Sequence, residues 1–285
     1  MSDYVVTGKK GTGKSLLGVG IIRDALAQGK RVATNLDVKL DVLCRPRSRM
    51  TLIRLPDRPT ADDLTALGRG QDGVEEEKNG VIVLDEVSAI LNSRNWADKS
   101  RQGTLDWLIH SRKYGWDTYM IAQGLSQIDK QVRETQLEYH IAVKRTDKWP
   151  IPLVTSITRM LGFPITFPKV HIGVVKHGMH NDAVTIERKW YRAKELYAAY
   201  DTQQIFLPQG SEAAVGLHTV LSAWHIKGRY LPPSFLEGLR AWLRGERRSR
   251  RPAAKPKLDL VLLLSKLPPD QRLKHWHRLN AGGAF

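Results

Sequence analysis

Cysteine is nearly absent: Cys44 is the only one in 285 residues. A single thiol forms no intrachain disulfide and supports no cysteine-rich metal site, which fits a reducing compartment. Long apolar runs are missing as well. A membrane-spanning helix needs about 20 consecutive apolar residues. The best run, 258–267, is half that length and carries Asp259 and Lys266, so no span is expected. No secretory leader is expected either, because Asp3, Tyr4, Val5 and Val6 lead straight into a glycine-rich loop. Acidic residues are scarce beside basic ones, 29 against 45, for a net charge of +16. That excess favours an anionic partner (nucleic acid, acidic lipid or an acidic protein surface), the plainer reading being a solvated basic face. With 41% hydrophobic residues, the chain has enough apolar material for a core and is not disordered overall.

The pattern along the chain alternates strands and helices. Tyr4, Val5 and Val6 read as a short buried strand, and residues 15–28 carry Leu16, Leu17, Val19, Ile22, Ala25 and Leu26 at helical spacing, with Gly29 as the stop. Residues 31–36 and 51–55 read as further strands, and 60–67 as a short helix with Thr60 as N-cap and Asp62 and Asp63 in its first turn. Residues 71–80 read as a polar loop. Val81, Ile82, Val83 and Leu84 form a continuous apolar run, as in a strand buried on both faces. The spacing predicts a helix over 104–113 with Leu105, Leu108 and Ile109 inward, then strands over 118–122 and 139–144. Such alternation implies a parallel sheet covered on both sides. Beyond Pro150 the texture changes. Residues 170–175 and 183–191 alternate like one antiparallel pair, expected as a small β appendage to the sheet, 193–200 reads as a short helix, and 206–243 as an appended region. Residues 244–257 hold seven basic residues, one acidic residue and two prolines, and read as a linker or tail.

The chemistry is concentrated in Gly8, Lys9, Lys10, Gly11, Thr12, Gly13, Lys14 and Ser15, which match G-x-x-x-x-G-K-[ST] between a strand and a helix. A triphosphate is heavily anionic, so a loop that wraps it needs inward backbone N–H groups. The glycines permit the required backbone angles and the close approach. The helix start adds its positive dipole end. Lys14 is expected to reach the β- and γ-phosphates, and the Ser15 hydroxyl to ligate Mg²⁺. About seventy residues on, the apolar run 81–84 ends in Asp85 and Glu86. A carboxylate there can hold the Mg²⁺ shell, which assigns Asp85, and its neighbour Glu86 can act as general base toward the attacking water. This pair points to the P-loop class with a catalytic glutamate and an additional strand between the two nucleotide strands. Gln123, at the end of the strand over 118–122, is the candidate γ-phosphate sensor. Arg133, ahead of Arg112 and Lys113, is the candidate trans-acting arginine finger; the competing reading for Arg112 and Lys113 is a solvated helix end. His171, His177 and His180, or His275 and His277, lack cysteine or carboxylate partners at ligand spacing, which argues against a histidine metal site. Trp107 and Trp116 read as core.

These residues resemble one family. Residues 4–15, Asn35, VIVLDE at 81–86, HSRKYGWDTYMIAQGLSQIDKQVRE at 110–134 and RKWYRAKELYAAYDT at 188–202 look like the zonula occludens toxin-like (Zot) family, the morphogenesis ATPases of filamentous phages. The likeness covers roughly residues 1–205, and the 110–134 and 188–202 runs are its most specific parts. It implies an ATPase, using ATP and Mg²⁺, that powers assembly and export of single-stranded DNA phage at the host inner membrane. Many members carry a membrane span and a periplasmic tail; the expectation of no span departs from that pattern. Nothing in the sequence supports a toxin activity.

The expected architecture is therefore an α/β P-loop NTPase domain over 1–205, an appended region over 206–243, and a basic linker with a short amphipathic tail over 244–285. A homo-oligomeric ring is expected by analogy, with phage coat and assembly proteins as partners. Single-stranded DNA, and an anionic membrane surface met through 244–267, are further candidate partners. The expected location is the host cytoplasm, peripheral at the inner membrane. The rival readings are a translocating or packaging ATPase acting on DNA directly, and a nucleotide-dependent scaffold that does not hydrolyse. Intact Lys14, Asp85 and Glu86 argue against the scaffold.

Overall fold

The computed structural model describes residues 3–73, 75–90, 99–128, 133, 137–146, 170–179, 183–192, 196–208, 211, 215–228, 231 and 234–244. The chain divides into two compact units, Met1–Leu231 and Pro232–Phe285. The tail beyond Arg244, His180, His275 and His277 lie outside the described residues.

The first unit is built on one sheet. Its strands are β1 (Asp3–Thr7), β2 (Val32–Thr34), β3 (Thr51–Arg54), β4 (Gly80–Leu84), β5 (Trp116–Ile121), β6 (Tyr139–Arg145), β7 (Val170–His177), β8 (Thr185–Arg192) and β9 (His218–Leu221). They lie in the order β8-β7-β6-β1-β5-β4-β2-β3-β9. The six strands from β6 to β3 run parallel, and β7, β8 and β9 join the two edges antiparallel. β5 lies between β1 and β4, as the additional-strand class requires. The pair expected as an appendage is thus hydrogen-bonded to β6 and continues the main sheet.

The helices are α1 (Lys14–Ala27), α2 (Leu40–Leu43), α3 (Ala61–Ala66), α4 (Val87–Ile90), α5 (Lys99–His110) and α6 (Ala223–Lys227) in the first unit, and α7 (Phe235–Leu243) in the second. α7, taken by itself, exposes Phe235, Leu236, Leu239 and Leu243. None of the helices among the described residues is long and apolar enough to cross a membrane.

Alternation along the strands divides the core between the two faces of the sheet, because successive side chains of a strand point to opposite sides. Val6, Val81, Val83, Tyr119 and Ile121 pack with Leu16, Leu17, Val19 and Ile22 of α1. Val5, Ile82, Leu84 and Met120 pack with Leu64 of α3 and with Leu105, Trp107 and Leu108 of α5. Each such fully buried aliphatic side chain contributes about 1.5–3 kcal/mol relative to exposure. Trp107 and Trp116 are both buried, as read from the sequence. Ile109 is not inward: it is 37% exposed. Trp107 takes the inward place instead and stacks on Tyr114, whose ring centroid is 5.4 Å away, as the chain tightens into a 3-10 turn at Ser111–Tyr114.

α3 shows how a helix start is closed by its own sequence. Thr60 Oγ1 accepts from the Asp63 N–H at 3.4 Å, and the Asp63 carboxylate accepts from the Thr60 N–H at 2.8 Å, a complete capping box.

Candidate nucleotide site

The carboxyl ends of β1, β4 and β5 meet the start of α1, and a cleft of ≈ 370 Å³ opens there. The loop after β1 holds a compact turn. The Thr12 N–H and hydroxyl both donate to the Lys9 carbonyl, at 3.2 and 2.7 Å. Gly11 and Gly13 have φ of 75° and 91°, a left-handed conformation that favours glycine. Gly13 is also the N-cap of α1, and it offers no side-chain hydrogen bond to the first turn. No acidic residue occupies that turn. The first N–H groups of α1 are therefore left without a side-chain cap, beside Lys10 and Lys14, which is the arrangement an anion needs. Lys14 Nζ donates to the Gly8 carbonyl at 3.0 Å, folded over the loop it serves.

Across the cleft, Asp85 directly follows β4 and is buried. Its Oδ2 accepts from Ser15 Oγ at 2.5 Å, and its Oδ1 from the Glu86 N–H at 2.7 Å. Burial pushes this carboxyl above its ordinary value, while the Ser15 and Glu86 hydrogen bonds and the Lys14 charge pull it down. Glu86 is exposed, lines the cleft and sits at φ 50°, an uncommon conformation for a residue with a side chain. Such local strain is concentrated at functional sites. Gln123 lines the same cleft and follows β5, its N–H donating to Gln127 Oε1 at 3.3 Å.

The structure thus brings Lys10, Lys14, Ser15, Asp85, Glu86 and Gln123 into one cleft. Arg133 does not line it; its guanidinium donates to the Leu125 carbonyl at 3.3 Å, just past the carboxyl end of β5. Arg112 lies at the other end of the sheet, before β5 begins, and pairs with Glu138 at 3.0 Å.

Other residues of the site were not assigned to it from the sequence. Asn35, after β2, is a backbone clamp. Its Nδ2 donates to the Asp85 carbonyl at 2.9 Å and to the Asp57 carbonyl at 3.1 Å, and its Oδ1 accepts from the Asp85 N–H at 2.8 Å. The segment after β8 forms the far wall, with Tyr197, Tyr200, Gln204 and Phe206. Gln204 fastens it by donating to the Asn35 carbonyl and accepting from the Asp37 N–H, both at 2.9 Å. Asp57 anchors it again by accepting from the Leu207 N–H at 3.0 Å and from buried Arg54 at 2.7 Å. Burial, then the charges of Tyr197 and Asp85, push the Tyr200 phenol up to about 12. His171 on β7 lines the cleft as well, with Nδ1 2.6 Å from the Thr12 carbonyl.

The sequence model of the family described as Zonular occludens toxin (Zot) matches residues 2–161. The gene 1 protein of Escherichia phage If1 is 47% identical over 210 residues, which are 72% of this chain and 60% of that protein. The gene 1 protein of Enterobacteria phage M13 is 41% identical over 237 residues, 82% of this chain and 67% of that one. The chain therefore spans roughly three fifths to two thirds of the length of these relatives. Among solved structures, the N-terminal domain of zonular occludens toxin from Neisseria meningitidis aligns with a TM-score of 0.41 at 15% identity, covering 70% of this chain and 98% of that one. With more than half of its length matched by the family model, and with relatives above 40% identity, the chain belongs to the Zot family.

Proposed function

We propose that this chain binds ATP with Mg²⁺ and hydrolyses it, and that hydrolysis drives assembly and export of filamentous single-stranded DNA phage at the host inner membrane. One observation carries the chemistry: Ser15 on the first turn of α1 and Asp85 at the end of β4 touch at 2.5 Å beside Lys14. A hydroxyl and a carboxylate side by side at the phosphate loop are oxygen ligands of the kind that suits Mg²⁺, a hard cation that takes one or two protein oxygens and completes its shell with phosphates and water. The residues therefore fit the ion. When bound, Mg²⁺ supplies charge that offsets the phosphates. Lys14 leaves the Gly8 carbonyl and adds a cation at the β- and γ-phosphates. Glu86, exposed on the cleft wall, takes the proton of the attacking water, a role worth about 10²–10⁴ in rate. Gln123 contacts the γ-phosphate. Arg133 is assigned as the cation offered to a neighbouring subunit's nucleotide in a ring.

The biological assignment rests on family membership and on relatives from phages If1 and M13. Coat and assembly proteins are the proposed partners. The test is ATP turnover by purified full-length protein and its Lys14→Ala variant, with coat protein or single-stranded DNA added in turn. Loss of turnover in Lys14→Ala with an unchanged melting curve, and stimulation of the wild type by coat protein, is the expected result. Wild-type turnover in the variant would overturn the site. Stimulation by DNA alone would favour a motor acting on DNA.

A further inference from the structure

Two residues paired in register across β6 and β7, Arg145 and His171, both reach the phosphate loop. Arg145 Nη1 donates to the Gly11 carbonyl at 2.9 Å, and His171 Nδ1 donates to the next carbonyl, that of Thr12, at 2.6 Å. A carbonyl can only accept, so Nδ1 of the imidazole carries a proton. His171 is 1% exposed. It lies so close to Gly13 that a Cβ there would sit 2.1 Å from Nδ1. Its Nε2 is buried with no hydrogen-bond partner among the described residues. A ring needed only for packing gains nothing from such a nitrogen, since an apolar side chain of the same shape avoids the cost of burying it.

The peptide between Thr12 and Gly13 is planar and trans, so its carbonyl and its N–H point in opposite directions. Whatever fixes the Thr12 carbonyl also fixes the Gly13 N–H. Glycine at that position lets the peptide turn over at little steric cost, and the turned form exchanges the direction of the N–H for that of the carbonyl. A carbonyl oxygen aimed at a phosphate repels it.

We propose that His171 is a positioning residue for nucleotide binding: its Nδ1–H holds the Thr12–Gly13 peptide in the orientation that offers the Gly13 N–H to a phosphate. Strand β7, second from the sheet edge, thereby presets a loop more than 150 residues away in sequence. Arg145, on the neighbouring strand, holds the preceding carbonyl in the same way. The inference rests on the nucleotide reading above.

The test uses the full chain and a fluorescent ATP analogue with Mg²⁺, titrated against wild type, His171→Phe, His171→Asn and His171→Gln. Phe keeps a ring without a donor. The Asn amide nitrogen stands where Nδ1 stood, and the Gln amide nitrogen where Nε2 stood. Phe and Gln should weaken binding by about tenfold, the scale of one lost, well-placed hydrogen bond, while Asn stays within about threefold of wild type. The wild-type protein with ¹⁵N-labelled histidine, which needs no variant to fold, should show His171 protonated on Nδ1 before and after nucleotide is added. Equal affinity of His171→Phe and wild type would overturn the assignment. So would recovery by Gln rather than Asn, which would place the function on Nε2, or a ring protonated on Nε2 alone. Failure of the wild type itself to bind the analogue would instead overturn the nucleotide reading.

Discussion

α1 and α3 begin in opposite ways. α3 closes its own start: Thr60 and Asp63 satisfy each other's backbone N–H groups, and Asp62 adds a second acid to the first turn. α1 starts at a glycine with left-handed backbone and no side-chain cap, has no acid in its first turn, and keeps Lys14 there instead. By the usual rules of helix stability, α1 has the worse start, since a cap and first-turn acids each stabilise a helix. The difference shows that the unfavourable choices at α1 leave room for an external anion. The local cost is tolerated because α1 is buried in the core through Leu16, Leu17, Val19 and Ile22. Packing, rather than capping, holds it.

The largest expected effect separates the two starts by chemistry. Glu86→Gln, beside α1, keeps size and hydrogen bonding but removes the base, so turnover falls by about 10²-fold or more while nucleotide still binds. Asp63→Asn, at α3, leaves turnover at the wild-type rate. Steady-state hydrolysis together with equilibrium binding reads both, and loss of binding in Glu86→Gln would make that residue part of the metal shell or the fold.

A smaller effect runs the other way. Thr60→Ala removes the cap of α3 and lowers stability by about 1 kcal/mol in denaturant melts, with no change in nucleotide affinity. A change in affinity as large as the change in stability would mean that α3 and the cleft are coupled.

The smallest concerns the strand that delivers the chain to α1. Thr7 ends β1, and its hydroxyl lies 2.7 Å from His140 Nε2. Burial, and secondarily the Lys176 charge, hold His140 below its ordinary value of 6.5. The folded protein therefore binds fewer protons at this group than the unfolded chain does. Its contribution to stability is present above 6.5 and is lost as pH falls through that value toward the lower folded one. His140→Gln should lose less stability than wild type between neutral and mildly acidic pH, and parallel pH profiles of melting would exclude the effect.

How much of this was legible in the sequence follows from what is local. The loop 8–15, the strand ending in Asp85 and Glu86, and the strand ending near Gln123 are contiguous patterns, and each appears in the structure where its spacing put it. The additional strand was expected from Glu86 beside Asp85, and β5 lies between β1 and β4. The far wall of the cleft was not legible. Tyr200 reaches it through an isolated antiparallel bridge to Val38, and Gln204 through hydrogen bonds to Asn35 and Asp37. His171 reaches it because β7 pairs antiparallel with β6, one strand in from the sheet edge. No periodicity in 170–206 encodes those meetings; they depend on which edge each strand joins. Ile109 failed for a different reason: near a helix end that tightens into a 3-10 turn, the 3.6-residue spacing no longer tells inside from outside.

The central claim is that the uncapped start of α1 and the end of β4 together form a site for a magnesium nucleotide. It is tested most directly by the Mg²⁺ dependence of ATP affinity in the full chain and in Ser15→Ala, measured by calorimetric titration with and without the ion. Mg²⁺ should tighten ATP binding to the wild type, and most of this gain should disappear in Ser15→Ala, whose nucleotide-free form melts somewhat lower because buried Asp85 loses a hydrogen-bond donor. The same gain from Mg²⁺ in both proteins would contradict the claim.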